Sequence, residues 1–154
     1  MNDIIKKSLD KLKEKKIPNP ELDLRILFTY AAKYKKNIFL NNLNINDINI
    51  SKFNSFVSKR LNYQPVSKII NKKSFWKSDF FVNFNVLDPR PETELIIEET
   101  LNNYKNKNQK LKILDIGTGS GCLAISLAKE FPNSTVTAID ISKKALIVAK
   151  KILS

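Results

Sequence analysis

The stretch that decides the fold is ILDIGTGSGCLAI, residues 113–125. It begins as a short apolar strand, passes through a glycine-rich turn and continues as an apolar helix. The turn holds Gly117, Gly119 and Gly121, the three glycines of the 154-residue chain. An average composition of about 7% would give roughly ten. Because glycine tolerates positive φ and lets a ligand approach the backbone, the sequence predicts a binding site at this turn.

The residues around this turn follow a βαβα pattern. We predict strands at 111–116 and 135–139, a connecting helix at 122–130, and a second helix over 142–153 with Ser142 as its cap. A strand, a crossover helix and a parallel strand form a right-handed unit of an open α/β sheet. Parallel strands are normally buried on both faces, so two of them do not make a finished sheet. We therefore expect that the chain is a fragment or that another chain completes the sheet.

The sequence before this pattern indicates two other parts. Apolar residues at helical spacing predict a helical bundle in residues 1–64, with a helix that starts near Pro20 and a third helix for which Ser51 is the candidate cap. Aromatic and β-branched runs around a polar turn at 77–79 predict a β-hairpin linker at residues 65–87.

The last part, residues 88–154, opens on a helix start. Pro91 suits a first helical turn, and the carboxylates of Glu92 and Glu94 complement the helix dipole there. The predicted fold class is therefore α/β. It comprises an N-terminal helical bundle, a β-hairpin linker, and the first βαβα part of an incomplete Rossmann-like sheet.

The composition restricts the chemistry and the location of the protein. With 42% hydrophobic and 27% charged residues, the chain is typical of a globular protein. It has no histidine and one cysteine, Cys122, which excludes a histidine base and an internal disulfide framework and predicts no metal site. No apolar run approaches the ~18 residues of a membrane span, and no signal-peptide core is present. We expect a cytoplasmic monomer without membrane association.

The charge is unevenly distributed. The chain carries a net charge of +12, of which +10 falls in residues 1–87. Such an excess suits an acidic partner, either nucleic acid or an acidic protein, or it forms a solvated lysine face. The lysines are not interleaved with arginine and aromatic residues, which favours a solvated face over nucleic-acid binding.

A second feature supports a nucleoside ligand at the glycine turn. Asp140 ends the second predicted strand beside the first, where a carboxylate can accept hydrogen bonds from ribose hydroxyls. The glycine spacing is G-x-G-x-G, and Cys122 stands where the dinucleotide fingerprint G-x-G-x-x-G has its third glycine. A phosphate-binding G-x-x-x-x-G-K-[ST] is absent. NAD, and a turn that binds nothing, remain as the weaker alternatives.

Two motifs resemble a known family. Residues 113–125 resemble the first motif of class I S-adenosylmethionine-dependent methyltransferases. VLDPRPETE, residues 86–94, resembles the VLIPRPETE signature of the peptide chain release factor glutamine methyltransferases, the HemK or PrmC family. The resemblance covers the whole chain, with residues 62–140 carrying most of it. Two residues depart from the family pattern. Asp88 stands where the family usually has an apolar residue, and Asn71 stands where it usually has glycine.

The resemblance implies transfer of a methyl group from S-adenosylmethionine to the side-chain amide of the glutamine in a Gly-Gly-Gln motif of a peptide chain release factor. The helical domain would dock this protein substrate, and its positive charge suits an acidic release factor. The cofactor-binding residues implied by the motifs are Gly117, Thr118, Gly119, Ser120, Gly121 and Asp140, with Arg90 and Thr93 as further residues of the pocket.

One family motif is missing. The family holds the substrate glutamine with an Asn-Pro-Pro-Tyr motif, which this sequence does not contain. No catalytic residue is therefore predicted, and we expect the 154-residue chain alone to be inactive because it is truncated. Two alternatives stay open: a methyltransferase of a ribosomal protein or nucleic acid, and a non-catalytic module that binds a partner.

Overall fold

The computed structural model describes residues 3–32 and 48–153, with side chains as far as Lys151. The backbone forms two compact units, Met1–Ile70 and Asn71–Ser154. Within the described ranges, no helix is both long and apolar enough to cross a membrane. The division of the chain into a docking domain, a linker and a cofactor domain stays a prediction.

The first unit is a helical bundle, as predicted. Its helices are α1 (Asp3–Glu14), α2 (Pro20–Ala31), α3 (Ile50–Leu61) and the short α4 (Val66–Ile70). At the centre of the core, the rings of Phe28 and Phe53 meet edge to face with their centroids 5.6 Å apart. Beside this core, the guanidinium of Arg60 on α3 donates from Nε to the Asp23 carboxylate on α2 at 2.7 Å. These contacts fix α2 against α3.

One helix start in this unit agrees with the prediction from the sequence, and the cap of another helix differs from it. Helix α2 begins at Pro20, as predicted. The cap of α3 is Asn49 and not Ser51, because Ser51 lies inside the first turn of that helix. The Asn49 side-chain oxygen accepts a hydrogen bond from the backbone N–H of Lys52 at 3.0 Å, which satisfies one of the unpaired amides of the helix start.

The second unit begins with the predicted β-hairpin. Strands β1 (Lys72–Phe75) and β2 (Ser78–Phe81) pair antiparallel, and Phe75 lies opposite Ser78. The turn therefore consists of Trp76 and Lys77, and the predicted turn at 77–79 was wrong because its last two residues belong to β2. Trp76 has a φ of 52°, in the left-handed region that non-glycine residues rarely adopt.

The rest of this unit forms the predicted βαβα pattern. Its elements are a 3-10 turn (Pro91–Thr93), α5 (Glu94–Asn103), β3 (Lys112–Ile116), α6 (Cys122–Glu130), β4 (Thr135–Ile139), α7 (Lys143–Ala149) and β5 (Ile152–Leu153). Strands β3 and β4 are parallel, with their last residues Ile116 and Ile139 in register. The prediction that α7 extends to Leu153 was wrong, because Ile152 and Leu153 pair antiparallel with β2.

The two faces of the β3–β4 sheet differ in their environment. One face packs on α6, where Ile113 joins a core cluster that includes the buried Leu127. The other face carries Leu114, Ile116 and Ile139, whose exposed fractions are 58%, 74% and 46%. Burial on both faces, which is usual for parallel strands, is thus not achieved by the described residues.

Glu130, at the end of α6, anchors several elements of the second unit. Its carboxylate is buried and accepts hydrogen bonds from the Trp76 indole Nε1 at 2.7 Å, Lys77 Nζ at 2.5 Å and Lys107 Nζ at 2.6 Å. The Lys107 ammonium, followed by the Lys77 ammonium, lowers the pKa of Glu130 to about 2, against desolvation, which raises it. The hairpin turn is thereby tied to the end of α6.

Replacement of Glu130 by Gln is expected to destabilise the protein in a pH-dependent way. The folded-state pKa of Glu130 lies below the value of 4.5 for the free carboxyl. The ionised carboxylate therefore stabilises the folded protein fully above pH 4.5, and this stabilisation is lost as pH falls toward 2. At pH 7 we expect a loss of about 1–2 kcal/mol, moderated because both lysine side chains are partly exposed. Urea denaturation at pH 7 and at pH 3 measures the difference.

The control is Glu98→Gln, an exposed carboxylate on α5, which should leave the free energy of unfolding unchanged at both pH values. A Glu130→Gln deficit that is equally large at both pH values would contradict the ionic origin of the effect.

Candidate functional site

The glycine turn links the end of β3 to the start of α6. Gly117, Gly119 and Gly121 have φ values of 78°, 57° and 78°. All three lie in the left-handed region, where a Cβ is strained and glycine is not. The concentration of glycines at this turn therefore has a conformational cause.

The three glycines differ in what surrounds them. A Cβ at Gly121 would lie 2.9 Å from Ile125 Cδ1 and 3.1 Å from Ala149 Cβ, so this glycine allows α6 and α7 to pack closely. A Cβ at Gly117 would meet nothing within 4 Å, and one at Gly119 would meet the Gly117 carbonyl oxygen at 4.0 Å. The space in front of the first two glycines is open.

Hydrogen bonds within the protein use the amides of this turn. The N–H groups of Gly117 and Thr118 both donate to the carbonyl of Ile139 at the end of β4, at 2.8 and 3.0 Å. The Gly121 N–H donates to the Thr118 carbonyl at 2.8 Å, and the Thr118 hydroxyl donates to the Asp115 carboxylate at 2.7 Å. The turn is thus fixed to both strands.

Asp140, which follows β4, joins the glycine turn to the start of α7. Its Oδ2 accepts from the Gly119 N–H at 2.9 Å, and its Oδ1 accepts from the Ser142 N–H at 2.8 Å. The Ser142 amide and then the Gly119 amide lower the pKa of Asp140, so this carboxylate is charged at neutral pH. Four amides of the glycine turn therefore already have protein acceptors, unlike those of a phosphate-binding loop.

A cavity of about 370 Å³ lies at this end of the sheet. One wall is formed by residues that precede α5, and the other by the glycine turn and the start of α7. The lining residues are Asn85, Val86, Leu87, Asp88, Pro89, Arg90, Thr93, Gly117, Thr118, Gly119, Ser120, Cys122, Asp140, Ser142 and Ala145.

The cavity brings together most of the residues that the sequence predicts for the site. Gly117, Thr118, Gly119, Ser120 and Asp140 line it, and so do Arg90 and Thr93 from the opposite wall. Gly121 does not line it and instead packs against α7. That any of these residues binds a cofactor stays a prediction.

Sequence reasoning did not assign several residues of this cavity to the site, among them Ser142 and Cys122. Ser142 was predicted as a helix cap, which its side chain is, but its amide also orients Asp140. Cys122 lines the cavity, and its position immediately after the last glycine was the signal for this. Burial raises the pKa of the Cys122 thiol, which is therefore protonated at neutral pH. Asp88, a departure from the family pattern, also lines the cavity.

The charges that line the cavity favour a ligand with positive charge. Asp88 and Asp140 contribute carboxylates, and Arg90 is the one basic side chain among the lining residues. The net charge of the lining is therefore negative. With four of the turn amides already paired, this negative lining disfavours phosphates and suits a nucleoside that carries a cationic group.

A glycine turn after one parallel strand and a carboxylate after the next are typical of nucleoside-binding α/β domains. Comparison with known families specifies its class: residues 107–154 match a family model described as a methyltransferase domain. Residues 3–70, which comprise the helical bundle, match the PrmC N-terminal domain.

Curated relatives agree with this assignment. A release factor glutamine methyltransferase of Leptospira interrogans is 37% identical over 150 residues, which are 96% of this chain and 52% of the relative. Its counterpart in Flavobacterium psychrophilum is 45% identical over 111 residues, 71% of this chain and 39% of the relative. A bifunctional methyltransferase of Rickettsia felis is 33% identical over 175 residues, 96% of this chain and 33% of the relative.

The chain belongs to the PrmC family. It spans about half the length, or less, of the curated relatives that it matches.

Replacement of Gly121 and of Gly117 by alanine is expected to separate the cost of a packing clash from the cost of backbone strain. At Gly121 the new methyl group meets Ile125 and Ala149 and also adopts a strained φ, so we expect a loss of about 2–3 kcal/mol. At Gly117 the space is open and only strain of about 1 kcal/mol remains. Thermal and urea denaturation measure both. Equal losses in the two variants would contradict the distinct packing of Gly121.

Proposed function

We propose that the cavity binds S-adenosylmethionine. The observation that carries this proposal is the Asp140 carboxylate, held by two backbone amides beside the open space in front of Gly117 and Gly119. The cavity volume of about 370 Å³ is within the usual range of small-molecule sites, and its negative lining suits a sulfonium. The match to a methyltransferase domain supports the same cofactor.

The residues of the cavity fit this cofactor in distinct ways. A carboxylate has about four lone-pair sites, and the hydrogen bonds from Gly119 and Ser142 occupy one on each oxygen of Asp140. The others are available to accept hydrogen bonds from the two ribose hydroxyls. Gly117 and Gly119 leave room for the bound molecule near the backbone, and Arg90 and Thr93 form the opposite wall.

The cofactor, when bound, supplies a methyl group on an already electrophilic sulfonium. The contribution of the protein would therefore be mainly position, because its residues would hold and orient the bound cofactor for the transfer. The buried side chains of Thr118 and Ser120 keep the turn in one conformation, which limits the entropy lost on binding. No histidine is required for such a transfer, and the sequence contains none.

We infer that the acceptor is the side-chain amide of the glutamine in a Gly-Gly-Gln motif of a peptide chain release factor. The names of the Leptospira and Flavobacterium relatives support a release factor as the protein substrate. The helical unit supports it as well, because most of the net positive charge lies in residues 1–87 and complements an acidic partner. Methyl transfer to the amide is the activity that we propose for the whole protein.

Asp140 is expected to be essential for cofactor affinity. We expect Asp140→Ala to abolish binding of S-adenosylhomocysteine in calorimetry, because both the ribose acceptor and the link to Gly119 are lost. Asp140→Asn should bind more weakly than the wild type, since one oxygen is replaced by a donor that opposes a backbone N–H. Asp10→Ala, which removes an exposed carboxylate from α1, is the control and should bind normally. Wild-type affinity in Asp140→Ala would contradict the proposed site.

The 154-residue chain is expected to bind the cofactor without transferring its methyl group. It contains no Asn-Pro-Pro-Tyr sequence to orient the poorly nucleophilic glutamine amide. Incubation with a release factor and S-adenosylmethionine, followed by mass spectrometry of the Gly-Gly-Gln peptide, should show no added methyl group. A methylated peptide in this assay would refute the expected inactivity, while the cofactor proposal would stand on the calorimetry.

A further inference from the structure

One cavity wall consists of residues that precede α5, and a hydrogen bond fixes the end of this wall. Arg90 and Thr93 line the cavity, and the next residue, Glu94, begins α5. Glu94 Oε1 accepts a hydrogen bond from the backbone N–H of Trp76 at 2.6 Å. The bond joins the hairpin turn to the chain immediately after the cavity wall, and a carboxylate acceptor makes it stronger than a neutral hydrogen bond.

The same tryptophan also contacts the far end of the helix that begins at the opposite wall. Its indole Nε1 donates to Glu130 at 2.7 Å, at the end of the helix whose first residue, Cys122, lines the cavity. Helix α6 is nine residues long and transmits position from one end to the other because its backbone is hydrogen-bonded throughout. A second contact, from Lys129 Nζ to Ser78 Oγ at 2.9 Å, links this end of α6 to β2.

The backbone of Trp76 allows both of these bonds. Trp76 is the first residue of a two-residue hairpin turn and adopts the left-handed φ that such turns require. With φ at 52°, the backbone N–H is directed to Glu94 while the indole reaches Glu130. The three residues form a continuous link, which we call the Trp76 clamp, between the two walls.

We propose that the Trp76 clamp, formed by Glu94, Trp76 and Glu130, sets the separation of the two cavity walls, and that Glu94 is a positioning residue for the ligand. The inference rests on the proposed function only in taking the ligand to be S-adenosylmethionine. A complementary dipole at the start of α5 explains a carboxylate at Glu94, but it does not explain its bond to a residue 18 positions earlier.

Cys122 provides a probe of the wall separation that needs no ligand. It is the one cysteine of the sequence, it lines the cavity, and only 9% of its surface is exposed. The rate at which iodoacetamide alkylates this thiol under native conditions therefore reports opening of the walls. We expect Glu94→Ala to raise the rate several-fold. Glu94→Gln should restore it to near the wild-type value, because the amide oxygen still accepts from the Trp76 N–H.

Two controls separate positioning from general destabilisation. Glu98→Ala removes an exposed carboxylate one turn further along α5 and should not change the alkylation rate. Ile97→Val weakens the core and leaves the two hydrogen bonds of the clamp in place, so the rate should again stay near the wild-type value. Circular dichroism and the thermal midpoint establish that each variant is folded.

The expected result has a counterpart in ligand affinity. Calorimetry with S-adenosylhomocysteine should show weaker binding by Glu94→Ala, and wild-type binding by Glu94→Gln and Glu98→Ala. If the wild-type chain does not bind this probe, the proposed function fails while the alkylation comparison still tests the clamp. A folded Glu94→Ala with the wild-type alkylation rate would overturn the inference, and so would a Glu94→Gln as reactive as the alanine variant.

Should Glu94→Ala not fold, Trp76→Phe decides the question. This change removes the indole donor to Glu130, keeps an aromatic side chain and retains the backbone bond to Glu94. The alkylation rate should rise several-fold in Trp76→Phe, and an unchanged rate would overturn the proposal.

Discussion

The two hydrogen bonds that Gly119 and Ser142 donate to the Asp140 carboxylate are the contacts on which the cavity depends. The Gly119 bond connects the loop after β3 to the loop after β4, so these loops cannot separate without breaking a charge-assisted bond. The Ser142 bond fixes the carboxylate within the second loop. The carboxylate is held in one orientation before any ligand arrives. A ligand that uses this carboxylate meets a preorganised acceptor and loses less free energy to ordering of the protein.

Carboxylates elsewhere in the second unit act in the same way, as acceptors that join distant parts of the chain. Glu94 and Glu130 each accept from Trp76, and Glu130 also holds Lys77 and Lys107. The chain has 27 basic and 15 acidic residues, so donors for its carboxylates are plentiful. Partly buried carboxylates are therefore effective at fixing loops and turns, because nearby donors and ammonium groups compensate their negative charge.

The sequence predicts those features of the fold that depend on local chemistry. Apolar runs and the glycine cluster are local signals, and they gave the bounds of α6 and β4 and the position of the turn between β3 and α6. The features that were wrong depend on distant partners: the end of α7 is set by pairing of Ile152 with Phe80, and the hairpin turn by register and by Glu94. Likewise, the spacing G-x-G-x-G does not distinguish Gly117, which faces open space, from Gly121, which allows two helices to touch.

The apolar face of the β3–β4 sheet has a consequence for how the isolated chain behaves in solution. Leu114, Ile116 and Ile139 lie side by side on the exposed face of this sheet. Within the described residues, its two strands pair only with each other, and their open edges are templates for association with other chains. Repulsion between molecules of high positive charge opposes this contact. Because added salt screens that repulsion beyond about 10 Å at 0.1 M, the balance between dispersed and associated chains is governed by ionic strength.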